Sequence, residues 1–192
     1  MSKPSPREQR QARARQKRLK ANFVRGGIIT AVAFVILYLG WIILRPQVGE
    51  AIPVLASGHT TEGQVVSFNS DPPTSGDHYP TTLPAQFYHE ADLAGLPSNP
   101  EGYLVHNLEH GYIIFWYNCT LVDDCEGLKN QIQTVMDEMN GVKLVAFPSD
   151  ALDAPVVMTS WGRRQAFDVF DPEAARTFIL RNRNRAPEPT AP

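Results

Sequence analysis

The sequence predicts an α+β protein: a single N-terminal transmembrane helix, then one small external domain with a mixed β-sheet and two helices. Three observations predict this. Residues 26–44 form an uncharged apolar run long enough to cross a bilayer. Four short segments have the composition of β-strands, and two longer segments place apolar side chains at helical spacing. With 192 residues and 43% hydrophobic content, the chain is neither a large multidomain enzyme nor wholly disordered.

The N-terminal segment, residues 1–25, is strongly basic. Basic residues next to a membrane span stay in the cytoplasm by the positive-inside rule. We therefore expect residues 1–25 to be cytoplasmic, residues 26–44 to span the cell membrane, and the remainder to be extracytoplasmic, with the lipid bilayer as the first partner. A nucleic-acid partner is not expected, because topology and attraction to anionic lipid explain the basic run.

A retained membrane span has two alternatives. The first is a buried core helix, but nineteen uncharged residues match the length that crosses the hydrocarbon layer and insert into it favourably. A cleaved signal peptide usually has a shorter apolar region that ends in a small-residue cleavage pattern, and residues 45–50 show no clear Ala-x-Ala pattern.

The two cysteines, Cys119 and Cys125, enclose a short loop. Outside the cytoplasm thiols tend to oxidise, so we predict one disulfide that closes this loop. A thiolate metal or redox pair is the alternative, but the Cys-x-x-Cys spacing that favours it is absent.

The external part begins with a stalk, residues 45–57, and continues as a domain over residues 58–181. Residues 69–80 hold three prolines and several Asp, Asn and Ser residues, which predicts an irregular loop. Residues 81–102 show no periodicity. The tail, residues 182–192, is rich in proline near its end and is expected to be disordered.

Strands and helices follow from local composition. The predicted strands are residues 61–68, 111–118, 143–147 and 155–161, and the second is the most aromatic. The predicted helices are residues 125–139 and 171–181. The first has an amphipathic stripe, and the second begins with Asp171 as N-cap and Pro172 at N1.

The five histidines all precede Gly111: His59, His78, His89, His106 and His110. In a strand, His106 and His110 would lie about 13 Å apart, too far for one ion. In a helical turn, positions i and i+4 are neighbours, so two imidazoles can bind one metal. Gly111 would then end the turn in the left-handed conformation. We therefore predict a helical turn that presents two metal ligands.

Further ligands must come from elsewhere in the chain. His78, in the rigid loop, is the first candidate and His59 the second. Glu109 and Asp77 can bind the metal directly or can hydrogen-bond the ligand imidazoles. Imidazole suits zinc, copper, iron and nickel alike, so the ligand type leaves the identity of the metal open; copper and zinc are the ions we expect first. Met158 could add a thioether that favours copper, although a core methionine is the plainer interpretation.

Two other interpretations of the histidines stay open. They can form a structural polar network that satisfies backbone carbonyls of the proline-rich loop. The string from His106 to His110 also matches His-x-x-Glu-His, in which Glu109 would be the general base of a zinc-dependent hydrolase. That motif needs a long helix, whereas a strand is predicted to begin at Gly111. We therefore expect a binding domain more than an enzyme.

Three stretches carry a resemblance to a known bacterial family. Residues 71–80, 104–113 and 159–162 resemble the family called domain of unknown function 3105, over about residues 59–179. The resemblance implies a basic N-terminus, one membrane helix and an external domain. The motif positions that correspond here are His78, His106, Glu109, His110 and Trp161, with a histidine near His59 also usual. The family has proline where this chain has Asp77, and the resemblance implies no reaction.

The sequence is therefore compatible with three functions. The first is a membrane-anchored extracytoplasmic domain that holds a metal through the histidine cluster. The second is a non-catalytic accessory or scaffold subunit that joins other membrane or envelope proteins, with structural histidines. The third is the zinc-dependent hydrolase.

Overall fold

The computed structural model describes residues 6–191. Residues 1–5 of the predicted cytoplasmic segment and Pro192 of the predicted tail lie outside the described residues. The chain divides into two compact units, Met1–Arg45 and Pro46–Pro192.

The first unit contains helix α1, Pro6–Ile43. Its Asn22–Trp41 stretch has a mean hydropathy of 2.0, and no part of it is buried within the structure. The helix is therefore a candidate membrane span by length and composition. A signal sequence near an N-terminus has the same properties.

The second unit is built around a five-stranded mixed sheet, which confirms the predicted α+β class. The strands are β1 (Glu50–Ala51), β2 (Ile113–Tyr117), β3 (Leu144–Pro148), β4 (Val156–Ser160) and β5 (Arg163–Phe167). Their order is β1-β5-β4-β2-β3. Only the β2–β3 pair is parallel; the other neighbours are antiparallel.

One face of the sheet is covered by two helices, α3 (Cys125–Glu138) and α4 (Pro172–Asn182). The predicted apolar stripe of α3 is buried here at Leu128, Ile132, Val135 and Met136. Phe178 of α4 is fully buried in the same cluster. This face is an ordinary apolar core.

The starts of these two helices follow the capping signals in the sequence. Asp171 accepts hydrogen bonds from the backbone N–H groups of Glu173 and Ala174, as an N-cap does. Asp124 caps α3 through the N–H of Gly127. The predicted disulfide between Cys119 and Cys125 is present, with the two Cα atoms 5.1 Å apart.

The other face of the sheet is covered by helix α2, Pro100–Glu109, and by the long loops before it. The sequence predicted only a helical turn here and two helices in the domain, so α2 is a third. Every residue from Gly102 to Glu109 is buried. A helix buried all round has no amphipathic stripe, which is why periodicity did not reveal it.

Three further expectations differ from the structure. The strand predicted over residues 61–68 is absent. A turn occurs at Gly63 (φ +84°), and Val65 is 91% exposed, so this segment buries no apolar side chain at that position. Strand β5 was missed because its first residues are polar and half-buried. Strand β1 lies in the segment predicted as a stalk and pairs with β5.

The C-terminal tail was expected to be disordered, but the described part of it is hydrogen-bonded to the domain. The N–H of Asn184 donates to the carbonyl of Gly111 (2.9 Å), and the N–H of Glu188 donates to the carbonyl of Glu109 (3.0 Å). Composition did not reveal this because the acceptors are carbonyls at and just beyond the end of α2, which only the tertiary fold brings to the tail.

Candidate metal centre

The loop that carries His78 is held in place by one side chain. The Asn69 carbonyl oxygen accepts from the N–H groups of Thr74 and Ser75, both at 3.1 Å. Its amide donates to the Thr74 hydroxyl and to the Pro53 carbonyl. Thr74 and Ser75 are fully buried. The irregular loop predicted from its prolines is therefore a rigid platform.

His59 is placed beside His78 by a short parallel bridge between the two residues. The N–H of His78 donates to the Gly58 carbonyl (3.1 Å), and the N–H of Thr60 donates to the His78 carbonyl (2.8 Å). The centroids of the two imidazole rings lie 5.1 Å apart.

Helix α2 places both His106 and Glu109 beside His59 and His78, because positions i and i+3 share a helix face. The His106 ring lies 4.9 Å from the rings of both His59 and His78. The loop and the helix approach closely at Gly102, whose carbonyl accepts from the N–H of Tyr79. A side chain at Gly102 would collide with the Tyr79 ring.

A second segment, residues 81–83, is attached to α2 beside the histidines. The Asn107 side chain accepts from the N–H of Leu83 (3.0 Å) and donates to its carbonyl (2.8 Å). The backbone of neighbouring Thr81 makes a hydrogen bond with the His106 ring.

The hydrogen bonds of the two buried imidazoles fix their tautomers. His78 Nδ1 lies 2.9 Å from the Gly76 carbonyl, which can only accept, so Nδ1 carries the proton. His78 Nε2 lies 3.0 Å from Glu109 Oε2, but within the described residues it has no partner in hydrogen-bond geometry.

In His106 the roles of the two ring nitrogens are the reverse of those in His78. Its Nδ1 is buried and has no hydrogen-bond partner among residues 6–191. The bond to Thr81 therefore involves Nε2, which leaves the lone pair of Nδ1 available. Burial lowers the pKa of His106 most, and the neighbouring His110, His78 and His59 lower it further. The imidazole is thus favoured in its neutral, metal-binding form.

Four side chains form one group that can hold a metal ion: His59, His78, His106 and Glu109. Their ligand atoms all lie within 4.8 Å of one another. In a tetrahedral site with bonds of 2.0–2.1 Å the ligand atoms lie about 3.4 Å apart, so the four side chains are already near the arrangement that binds one ion. Three of the residues are buried, and His59 is exposed to solvent.

His110 lies outside this group, although the sequence predicted it as a ligand with His106. It is the C-cap of α2 (φ −79°, ψ 4°), and Gly111 follows with the predicted left-handed φ of +83°. The His110 ring contacts that of His106, with centroids 4.4 Å apart. Its Nε2, however, lies 3.5 Å from Glu188 Oε2. Glu109 occupies the place in the group that was expected of His110.

Two other predicted contributors are also outside the group. Asp77 is exposed. Met158 is fully buried in the apolar cluster that α3 and α4 cover, where it pairs with Phe115 across the sheet. Because α2 covers the other face, Met158 is a core residue and offers no thioether to the cluster.

The sequence did not reveal three neighbours of the cluster. The Ser57 hydroxyl donates to Glu109 Oε1 (3.1 Å), the Thr81 backbone orients His106, and Glu188 pairs with His110. Each lies more than twenty residues from its partner, and no spacing rule connects residues that only the tertiary fold brings together.

The chain was compared with known proteins. Residues 59–192 match the family described as Protein of unknown function (DUF3105), so the chain belongs to that family. Neither the curated proteins nor the solved structures contain a match.

Proposed function

We propose that this member of the DUF3105 family is a membrane-anchored, extracytoplasmic metal-binding domain. The ion, zinc or copper(II), is bound by His59, His78, His106 and Glu109. The protein binds the metal and does not use it for catalysis.

The observation that carries this proposal is the state of the two buried imidazoles. In each, one nitrogen is bonded to the backbone and the other has no hydrogen-bond partner in the described structure. Buried polar atoms are rarely left unpaired, because each costs about 1–3 kcal/mol. A metal-binding imidazole has this same arrangement: one nitrogen is held by an acceptor and the other binds the ion.

The donor atoms support zinc or copper(II). Imidazole nitrogen suits both ions, and a carboxylate oxygen completes a zinc site readily. Copper(I) prefers sulfur. The group offers none, since Cys119 and Cys125 are joined in a disulfide and Met158 is in the opposite core.

The number of protein ligands supports binding rather than catalysis. Catalytic zinc sites usually have three protein ligands and one open position, whereas four protein ligands fill a tetrahedral site. His59 is the exposed ligand, so an ion would reach the three buried ligands from the side of the group where His59 lies.

The experiment is zinc and copper(II) binding by the full chain in detergent. Equilibrium dialysis with metal analysis should give one ion per chain for the unmodified protein and for His89→Ala, which removes an exposed histidine outside the group. His78→Ala and His106→Ala should lose the ion while keeping their far-UV circular dichroism. Equal binding by all four proteins would contradict the proposal.

A non-catalytic accessory or scaffold role is the second candidate, with other membrane or envelope proteins as partners. It is favoured by the contacts of Glu109, whose two oxygens already lie beside the Ser57 hydroxyl and His78 Nε2. A structural network predicts that the unmodified chain binds neither ion. It also predicts that cross-linking in membranes captures a partner that His78→Ala fails to capture.

The geometry gives less support to a zinc-dependent hydrolase. The inverted motif needs both His106 and His110 as ligands and Glu109 as a free base. Here Glu109 lies in the ligand group, and His110 contacts Glu188 instead.

The membrane topology is also a proposal. Basic residues precede the apolar stretch of α1, residues 26–44 carry no charge, and the domain contains a disulfide. These features support a cytoplasmic N-terminus and an external domain. Protease added to intact spheroplasts should degrade the domain. Protection of the domain would contradict this orientation, and release of a shortened soluble chain would show cleavage after α1.

A further inference from the structure

Helix α2 supplies two of the four proposed ligands, and its C-terminal end is held by an unusual set of contacts. The last carbonyls of an α-helix have no partner within the helix. In α2 the carbonyls of Glu109, His110 and the following Gly111 all accept hydrogen bonds from residues distant in sequence.

Lys143 provides the central contact. Its Nζ donates to the carbonyl of His110 (2.8 Å) and to the carbonyl of Pro189 in the tail (2.9 Å). It thus joins the end of α2 to the tail. Burial lowers the pKa of Lys143, because the ammonium group loses part of the water around it. A positive charge at this position also interacts favourably with the helix dipole.

The tail provides the other contacts. Asn184 and Glu188 donate their backbone N–H groups to Gly111 and Glu109, on either side of the carbonyl that Lys143 occupies. The Glu188 carboxylate also lies 3.5 Å from His110 Nε2. Residues 184–189 therefore follow the end of α2 and are bonded to the backbone of the proposed ligand Glu109.

We infer that Lys143 and the tail residues 184–189 position Glu109 and His106 for metal binding. This inference rests on the proposed function. The ligand atoms lie within 4.8 Å of one another and must be held at the separations that an ion requires, so affinity depends on how firmly the end of α2 is held. Groups that orient metal ligands typically change metal affinity 10- to 100-fold when they are removed.

The test measures zinc affinity of the full chain in detergent, by competition with a chromophoric chelator. Lys143→Met, and separately deletion of residues 186–192, should weaken zinc binding at least tenfold. Lys143→Arg keeps a cation with several donors and should recover most of that loss.

Lys129→Met is the matched control. Lys129 is a similarly buried lysine on α3 that pairs with Glu90 and Glu126, none of which belongs to the proposed zinc group. Its replacement should lower the melting temperature without changing zinc affinity by more than threefold. If the role of Lys143 is purely structural, Lys143→Met will also lower the melting temperature without changing zinc affinity by more than threefold.

Hydrogen exchange of the metal-free chain gives a second measurement that does not depend on zinc. Both altered proteins should exchange the amides of residues 109–112 at least tenfold faster, while those of β2 are unchanged. If the unmodified chain binds zinc and the altered chains bind it equally well, the positioning role is wrong. If the unmodified chain binds neither zinc nor copper(II) in the dialysis experiment, the proposed function fails instead.

Discussion

The two faces of the β-sheet are packed in different ways. Under α3 and α4 the sheet is covered by apolar side chains such as Ile132 and Phe178. Under α2 and the loops it is covered by tyrosines and leucines, with buried polar side chains and the histidine cluster nearby. The first face is an apolar core, whereas the second contains two buried imidazole nitrogens without a hydrogen-bond partner among the described residues. The comparison suggests that stability and metal binding can be altered separately.

The largest expected effect is on the apolar face. Phe178→Ala should lower the free energy of unfolding by about 3–5 kcal/mol, because it removes a fully buried aromatic ring. Urea denaturation measures this. Leu180→Ala, on the exposed side of the same helix, should change it by less than about 0.5 kcal/mol. The zinc affinity of folded Phe178→Ala should be unchanged, and a drop of more than tenfold would show that the two faces are coupled.

The next effect concerns the histidine face. Free zinc at 100 times its dissociation constant should stabilise the unmodified chain by about 2.7 kcal/mol, because only the folded state assembles the ligands. The same denaturation experiment with and without zinc measures the gain. His78→Ala should show none, whereas His89→Ala should show all of it. A full gain in His78→Ala would place the ion elsewhere.

The difference between the faces also explains what the sequence could predict. The stripe of α3 and the Asp171-Pro172 start of α4 are local patterns, so both helices were predicted within a residue or two. Helix α2 is buried all round, and its amphipathic signal is correspondingly weak. The histidines were predicted as a cluster. That the group of facing side chains contains Glu109 and not His110 depends on where α2 ends and on the contacts of the tail, which no local pattern encodes.

A smaller effect separates local capping from tertiary packing. Asp171→Ala should destabilise the domain by about 1 kcal/mol, since two backbone N–H groups lose their acceptor. Asp171→Asn, which can still accept these bonds, should recover most of the loss. Thermal unfolding of the three proteins measures both values. An unchanged melting temperature in Asp171→Ala would mean that packing alone defines the start of α4.

The smallest effect is a pH dependence that belongs to the histidine face. The pKa of His106 lies below its ordinary value of 6.5 in the folded chain, mainly because of burial. As the pH falls below 6.5, the unfolded chain binds a proton at this residue before the folded chain does. The free energy of unfolding should therefore decrease, with no contribution from His106 well above pH 6.5.

Urea denaturation of the metal-free chain between pH 7.5 and 5 measures this slope. His106→Gln should reduce the slope, while His89→Gln should leave it unchanged. A steeper decrease in His106→Gln than in the unmodified chain would mean that the assigned direction of the shift is wrong.

The most direct test of the metal centre is anomalous diffraction at the zinc edge from crystals of the protein grown with zinc. We expect one peak about 2.0–2.1 Å from His78 Nε2 and His106 Nδ1, with His59 and Glu109 completing the coordination. A peak between His110 and Glu188, or well-ordered histidines with no peak between them, would contradict the proposed centre.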